Sequence, residues 1–191
     1  MKTDHAYKYI VFMKIGYHGD ETLDEIIDRK MREERSCGVI FWGYGGTICH
    51  PLNQVSPFVR SAKEQGYKVK LIFSVTPSKF HKERHNARYY SADRKIWQSM
   101  PNGSLITSSA FAITCRNFRK VNYKVDISKY KVAIGPNKGK NLHEYLSYRT
   151  DKACAVYNPQ TGKACHLIPV TFEADVVFPY SVFCSSINPN G

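Results

Sequence analysis

The first third of the chain alternates between short apolar runs and segments with helical spacing. Three apolar runs, 9–15, 39–42 and 69–75, have the length of strands that are buried on both faces. The two segments between them repeat apolar residues every three or four positions, which predicts helices over 23–35 and about 52–65. The order strand, helix, strand, helix, strand predicts a β-α-β-α-β unit with parallel strands.

The first predicted helix has clear signals at both ends. Thr22 followed by Glu25 matches a capping box, in which each residue bonds a free amide of the other. Acidic residues stand in the first turn and Arg35 in the last, as the helix dipole favours. Gly38 then breaks the helical pattern.

The pattern changes after the third predicted strand. Residues 80–103 are polar, basic and aromatic without a clear period, and we interpret them as a long excursion or lid. Strand-like runs follow in 104–191, interrupted by one short helix near 142–148. We therefore predict an α/β fold in a single domain. In it the N-terminal parallel unit, 1–79, continues into a mixed sheet with added antiparallel strands in the C-terminal half.

Composition narrows the class of protein. The chain has 191 residues, of which 42% are hydrophobic, enough to build a core. No apolar run reaches the roughly 18 residues that cross a bilayer, and the N-terminus does not resemble a signal peptide. We expect a cytoplasmic protein with no membrane partner. The six cysteines include no C-x-x-C pair, so we expect reduced thiols rather than disulfides.

Positive charge is concentrated in the middle of the chain. The net charge is +12, and residues 81–152 hold 15 Lys and Arg against 5 Asp and Glu, a surplus of +10. Such a surplus attracts anionic partners, either nucleic acid or small molecules. The alternative is that the charge serves solubility alone.

The loops after the predicted parallel strands are the main functional candidates. Loops that follow parallel strands emerge at one edge of the sheet, which is where open α/β sheets bind ligands. The middle loop contains Gly43, Gly45 and Gly46, whose backbone amides can turn toward an anion, and a helix follows shortly. The glycine spacing matches neither a Walker A motif nor G-x-G-x-x-G, and a purely conformational role is the alternative.

We expect these loops to bind a phosphate-bearing small ligand, with a nucleotide or nucleotide-derived molecule as the leading candidate. Amides of the glycine loop would hold phosphate, Lys79 with two arginines would neutralise it, and a tyrosine would stack on the base. The candidate ligand-binding residues are Tyr17, His18, Tyr44, Gly45, Gly46, Thr47, Thr76, Ser78, Lys79, Arg84, Arg88 and Tyr90. No paired carboxylates or triad stand out, which favours recognition or sequestration and leaves turnover open.

Other functions remain open from the sequence. A nucleic-acid-binding protein would use the basic 81–152 segment, where aromatic residues lie between the charges. An enzyme acting on a phosphorylated or nucleotide substrate would use Cys49 and His50, with His18 as a further candidate. A module for an acidic protein partner also fits, and oligomerisation is left open. His81 and His85 lack the H-E-x-x-H pattern, so we expect no metal site, and no cofactor is indicated.

Overall fold

A computed structural model describes residues 7–18, 21–43, 54–80, 88–91, 96–102, 104, 111–147, 152–159, 164–177 and 181–184. Three α-helices and ten strands are present among them. The helices are α1 (Leu23–Cys37), α2 (Ser56–Glu64) and α3 (Leu142–Ser147). The strands are β1 (Tyr9–His18), β2 (Ile40–Gly43), β3 (Val69–Phe80), β4 (Tyr89–Ser91), β5 (Gln98–Ser99), β6 (Phe111–Asp126), β7 (Tyr130–Val132), β8 (Lys152–Tyr157), β9 (Leu167–Val176) and β10 (Ser181–Cys184).

The ten strands form one mixed sheet. Their order is β5-β4-β10-β6-β9-β3-β1-β8-β7, and β2 pairs with β6 outside this path. β1 and β3 pair in parallel, whereas all the other pairs are antiparallel. The predicted α/β class and the added antiparallel strands of the C-terminal half are confirmed.

One strand of the predicted parallel unit has a different partner. β2 is antiparallel to β6, with Ile40 opposite Cys115 and Gly43 opposite Ala112, and it pairs with neither β1 nor β3. The prediction that all three strands pair in parallel is therefore wrong for β2. An apolar run of four residues shows that a strand is buried, but it does not specify which neighbour completes its hydrogen bonds.

Two strands extend beyond their predicted limits. β1 continues to His18 and β3 to Phe80, so the residues predicted as their terminal loops form strand instead. In both cases backbone pairing to a neighbouring strand continues past the apolar run, because ladder hydrogen bonds do not require apolar side chains.

The two faces of the sheet are covered by different helices. One buried cluster joins Val11 and Leu71 of the parallel pair to Ile26 of α1 and Phe58 of α2. The cluster on the other face contains Ile10, Phe12 and Ile72 and receives Leu142 and Leu146 from α3. Because successive strand residues point to opposite faces, the covered parts of β1 and β3 need apolar residues at every position, as 9–13 and 71–73 have.

The local signals of α1 are borne out. The Glu25 amide donates to Thr22 Oγ1 at 3.3 Å and the Thr22 amide donates to Glu25 Oε2 at 2.7 Å, which completes the capping box. Gly38 has φ 71° and its amide donates to the Glu34 carbonyl at 2.8 Å. This left-handed end turns the chain directly into β2.

Candidate functional site

The ends of β1 and β3 lie side by side. After a register shift, Tyr17 stands opposite Lys79 and His18 opposite Phe80. The backbones of the predicted site residues Tyr17, His18, Thr76, Ser78 and Lys79 therefore share one end of the parallel pair. Because β1 and β3 are parallel neighbours, both strands end at this edge of the sheet.

The strand before the glycine loop reaches the same pair by another route. The Trp42 Nε1 donates to Met13 Sδ at 2.9 Å, and the Trp42 ring lies 4.5 Å from the Phe73 ring, centroid to centroid. Met13 and Phe73 are register partners on β1 and β3. Tyr17 follows Met13 by four residues, about 13 Å along a strand. Although β2 pairs with β6, its end thus packs over the parallel pair close to that edge.

α1 fixes β2 in this position through polar contacts. The Lys30 ammonium, which is 6% exposed, donates to the Phe41 carbonyl and to Glu33 Oε2, the latter at 2.6 Å. Thr114, opposite Phe41, accepts a bond from Val177 through its own carbonyl, so the Phe41 carbonyl faces away from β6 and is available to Lys30. Burial lowers the pKa of Lys30, and Glu33 opposes that shift only in part.

A second contact joins α1 to β6. Glu34 accepts hydrogen bonds from the amides of Asn117 and Phe118, the latter at 3.0 Å. Asn117 has φ 55°, a left-handed conformation that asparagine tolerates better than most residues, and it lies where the pairing of β6 with β9 shifts register. A carboxylate facing two successive amides is a compact anion site, filled here by the protein itself.

Basic residues that the sequence reasoning missed lie on the strands of this edge. Lys14 and Ser74 are register partners on β1 and β3, both half-buried, and share one face of the sheet. Lys152 of β8 stands opposite Met13, on the face that Trp42 covers. Lys14 and Lys152 therefore lie on opposite faces of the sheet, four and five residues respectively before the level at which β1 ends. The signal for Lys14 was its interruption of an apolar strand, whereas Lys152 depends on a long-range pairing.

The remaining predicted site residues lie away from this edge or outside the described residues. Tyr90 packs its ring 5.4 Å from that of Phe41, and its hydroxyl donates to Gln98 Oε1 at 2.5 Å, so the described contacts do not bring it to this edge. Arg88 is exposed just before β4. Their predicted roles stay predictions. The candidates outside the described residues are Tyr44, Gly45, Gly46, Thr47, Cys49, His50 and Arg84.

The most buried carboxylate of the sheet belongs to a separate network around Glu173, which is 1% exposed. It accepts hydrogen bonds from Tyr7 at 3.0 Å, Tyr123 at 2.7 Å and Arg119 Nε at 2.9 Å, and Lys70 Nζ lies 3.6 Å away. Burial raises the pKa of Glu173, but the bonds from Tyr123 and Arg119 and the charge of Lys70 outweigh it, so its pKa is lowered. This Glu173 network joins β3, β6, β9 and the segment before β1, and we interpret it as structural.

The described residues contain no group of three or more His, Cys, Asp or Glu that can hold a metal ion, and no helix long and apolar enough to cross a membrane. Cys37, Cys115, Cys154 and Cys165 form no disulfide within the described residues, and burial raises the pKa of Cys115. No protein-family model, curated protein or solved structure matches the chain. Function is therefore argued from the chemistry of the edge itself.

Proposed function

We propose that this protein binds a phosphate-bearing small ligand, with a nucleotide as the leading candidate, at the edge where β1 and β3 end. The parallel pairing that sets Tyr17 beside Lys79 carries this proposal. This pairing places the ends of β1 and β3 side by side. The contact of Trp42 with Met13 and Phe73 supports an approach of the glycine loop, which follows β2, to the same edge. An edge formed in this way presents backbone amides and loop side chains to a common ligand.

The charge of this edge suits an anion. Lys79 of β3 stands opposite Tyr17 at this edge, and Lys14 of β1 and Lys152 of β8 lie further back on the adjacent strands, one on each face of the sheet. Thr76 and Ser78 add hydroxyl groups by sequence, and the glycine loop adds amides that can adopt the conformations of a phosphate cradle. Trp42 is 7% exposed, which leaves little of its ring for a ligand, so we assign base stacking to Tyr44 or Tyr17.

Recognition or sequestration fits the described chemistry better than turnover. The buried carboxylates Glu33 and Glu173 are engaged by Lys30 and by the Glu173 network, respectively. Neither is presented to the edge as a general acid or base. The Cys49–His50 enzyme stays a separate prediction, tested by whether Cys49→Ser abolishes turnover of a bound nucleotide.

Native mass spectrometry of the purified protein is the first test, since a co-purified ligand would appear at a defined added mass. Titration calorimetry with ATP, AMP and pyrophosphate then measures affinity. Lys79→Met and Lys14→Met should each weaken binding about tenfold, because each removes a charge-assisted contact. Lys138→Met, on an exposed turn between β7 and α3, should leave affinity unchanged. Equal affinities for all variants, or no binding of any probe, would overturn the proposal.

A nucleic-acid partner is the second candidate, and one observation favours it. Arg116 and Lys120 are exposed along β6, with Lys124 half-buried on the same strand. An oligonucleotide bound there should lose affinity steeply with salt and with the double substitution Arg116→Gln and Lys120→Gln. A ligand at the β1–β3 edge should respond weakly to both changes, so the two candidates separate in one series of titrations.

A further inference from the structure

Two histidines from distant parts of the chain stack face to face. His143 is the second residue of α3, and His166 precedes β9 by one position. Their ring centroids are 3.4 Å apart and their planes differ by 8°. Both side chains are half-buried, so the stack is partly accessible to solvent protons.

Hydrogen bonds hold the backbones of both histidines against the turn formed by residues 126–128. The His166 amide donates to Asp126 Oδ1 at 2.9 Å, and the His166 carbonyl accepts from the Ile127 amide at 2.9 Å. On the other side, the His143 amide donates to Asn141 Oδ1 at 2.9 Å, and Asn141 Nδ2 donates to the Ser128 carbonyl at 2.7 Å. The stack therefore closes a loop of contacts around residues 126–128.

We propose that the His143–His166 stack is a proton-controlled latch that holds the start of α3 against the segment leading into β9. Neutral imidazoles, or one neutral and one charged ring, stack favourably. Two imidazolium rings at this separation repel each other, because like charges within about 4–6 Å disfavour the second protonation. The pair therefore accepts a first proton and opens on the second.

Charged groups surround the stack. Glu144 lies beside His143 on α3, while Asp126, which also bonds Cys165 and lies 3.9 Å from Lys129, accepts a hydrogen bond from the His166 backbone amide. Burial and the charge of His166 lower the pKa of His143, and Glu144 opposes them. A histidine with a lowered folded pKa stabilises the fold fully above its ordinary value of about 6.5, and that contribution is lost as the pH falls below it.

Opening of the latch would loosen α3 locally. Leu142, Tyr145 and Leu146 pack α3 into the second cluster of the core, and the helix has only six residues. A helix this short depends on its tertiary contacts. Loss of the stack should therefore appear as faster amide exchange in α3 without global unfolding.

Hydrogen exchange of the whole protein tests the latch. Between pH 7.5 and pH 5, protection factors of the α3 amides should fall about tenfold while those of α1 stay constant. His166→Phe retains an aromatic partner without the proton and should abolish the acid loss of protection. Glu144→Gln, outside the stack, should retain it.

Two results would overturn the proposal. The first is wild-type α3 protection that does not change with pH. The second is an equal acid loss in His166→Phe. Should the phenylalanine variant misfold, His166→Gln serves instead: it should reduce α3 protection already at pH 7.5 and make it independent of pH.

Discussion

Replacement of Glu173 by glutamine removes one charge from the centre of the Glu173 network without changing the shape of the side chain. The carboxylate is 1% exposed and accepts hydrogen bonds from three residues: Tyr7 at 3.0 Å, Tyr123 at 2.7 Å and Arg119, which donates through Nε at 2.9 Å and also through Nη2. Glutamine keeps one acceptor oxygen but presents an amide that can only donate. At least one of the three donors must therefore lose its partner.

The size of the effect follows from the exposure of those donors. A hydrogen bond to a charged group contributes about 1.5–3 kcal/mol. The Arg119 side chain is 60% exposed, so water replaces most of its contact. Tyr123 is 6% exposed and has no such replacement. Relief of the buried charge offsets part of the loss, and we expect Glu173→Gln to reduce the free energy of unfolding by about 2 kcal/mol at pH 7.

Urea unfolding at several pH values measures both the size and the origin of this loss. The folded pKa of Glu173 lies below its ordinary value of about 4.3, so its charge stabilises the fold above that value. The contribution disappears as the pH falls through the lowered folded pKa. The gap between wild type and Glu173→Gln should therefore narrow from pH 7 to pH 3.

A surface pair provides the matched control. Glu21 accepts from Arg29 at 2.8 Å, and both side chains are 20–27% exposed. Glu21→Gln should cost about 1 kcal/mol at most. A loss below about 0.5 kcal/mol for Glu173→Gln at pH 7, or a gap that stays constant down to pH 3, would refute this account of the network.

Three further substitutions test other parts of the fold by urea unfolding or thermal melting. Thr22→Ala removes the side-chain half of the capping box and should cost about 1 kcal/mol, with Ser retaining most of it. Gly38→Ala should also cost about 1 kcal/mol, from its φ of 71° alone, because an added Cβ would meet nothing within 4 Å; a neutral result would refute the left-handed turn. Lys30→Met leaves the buried Glu33 carboxylate without its cation and should cost about 3–5 kcal/mol of unfolding free energy. Adding Glu33→Leu should recover much of that loss, whereas additive losses from the two substitutions would contradict the pairing.

Local structure was predictable wherever its cause lies within a few residues. The capping box of Thr22 and Glu25 and the left-handed Gly38 specify the two ends of α1 without help from the rest of the chain. Partner choice in the sheet is different, since β2 has the same apolar character beside β6 as it would have beside β1. Hydrogen bonding between strands depends on backbone geometry, so the side-chain pattern identified β2 as a strand but not its neighbour.

In the candidate site too, the features with local causes were predictable and the long-range contacts were not. The edge formed by β1 and β3 followed from the β-α-β pattern, because a crossover of this length joins parallel strands. The Trp42 contact with Met13 and the place of Lys152 depend on strands distant in sequence, and no local pattern encodes them. The Glu173 network joins residues that are up to 166 positions apart, beyond the reach of any periodicity.

The centre of the sheet has a consequence for synthesis of the chain on the ribosome. β1 and β3 receive their outer neighbours from far downstream, with Tyr9 opposite Val156 and Lys70 opposite Asp175. Until those residues emerge, the two central strands have open edges that invite pairing with other nascent chains. A fragment that stops before β8 should therefore aggregate rather than fold, and these strands should reach their native pairing only after β8 and β9 have been made.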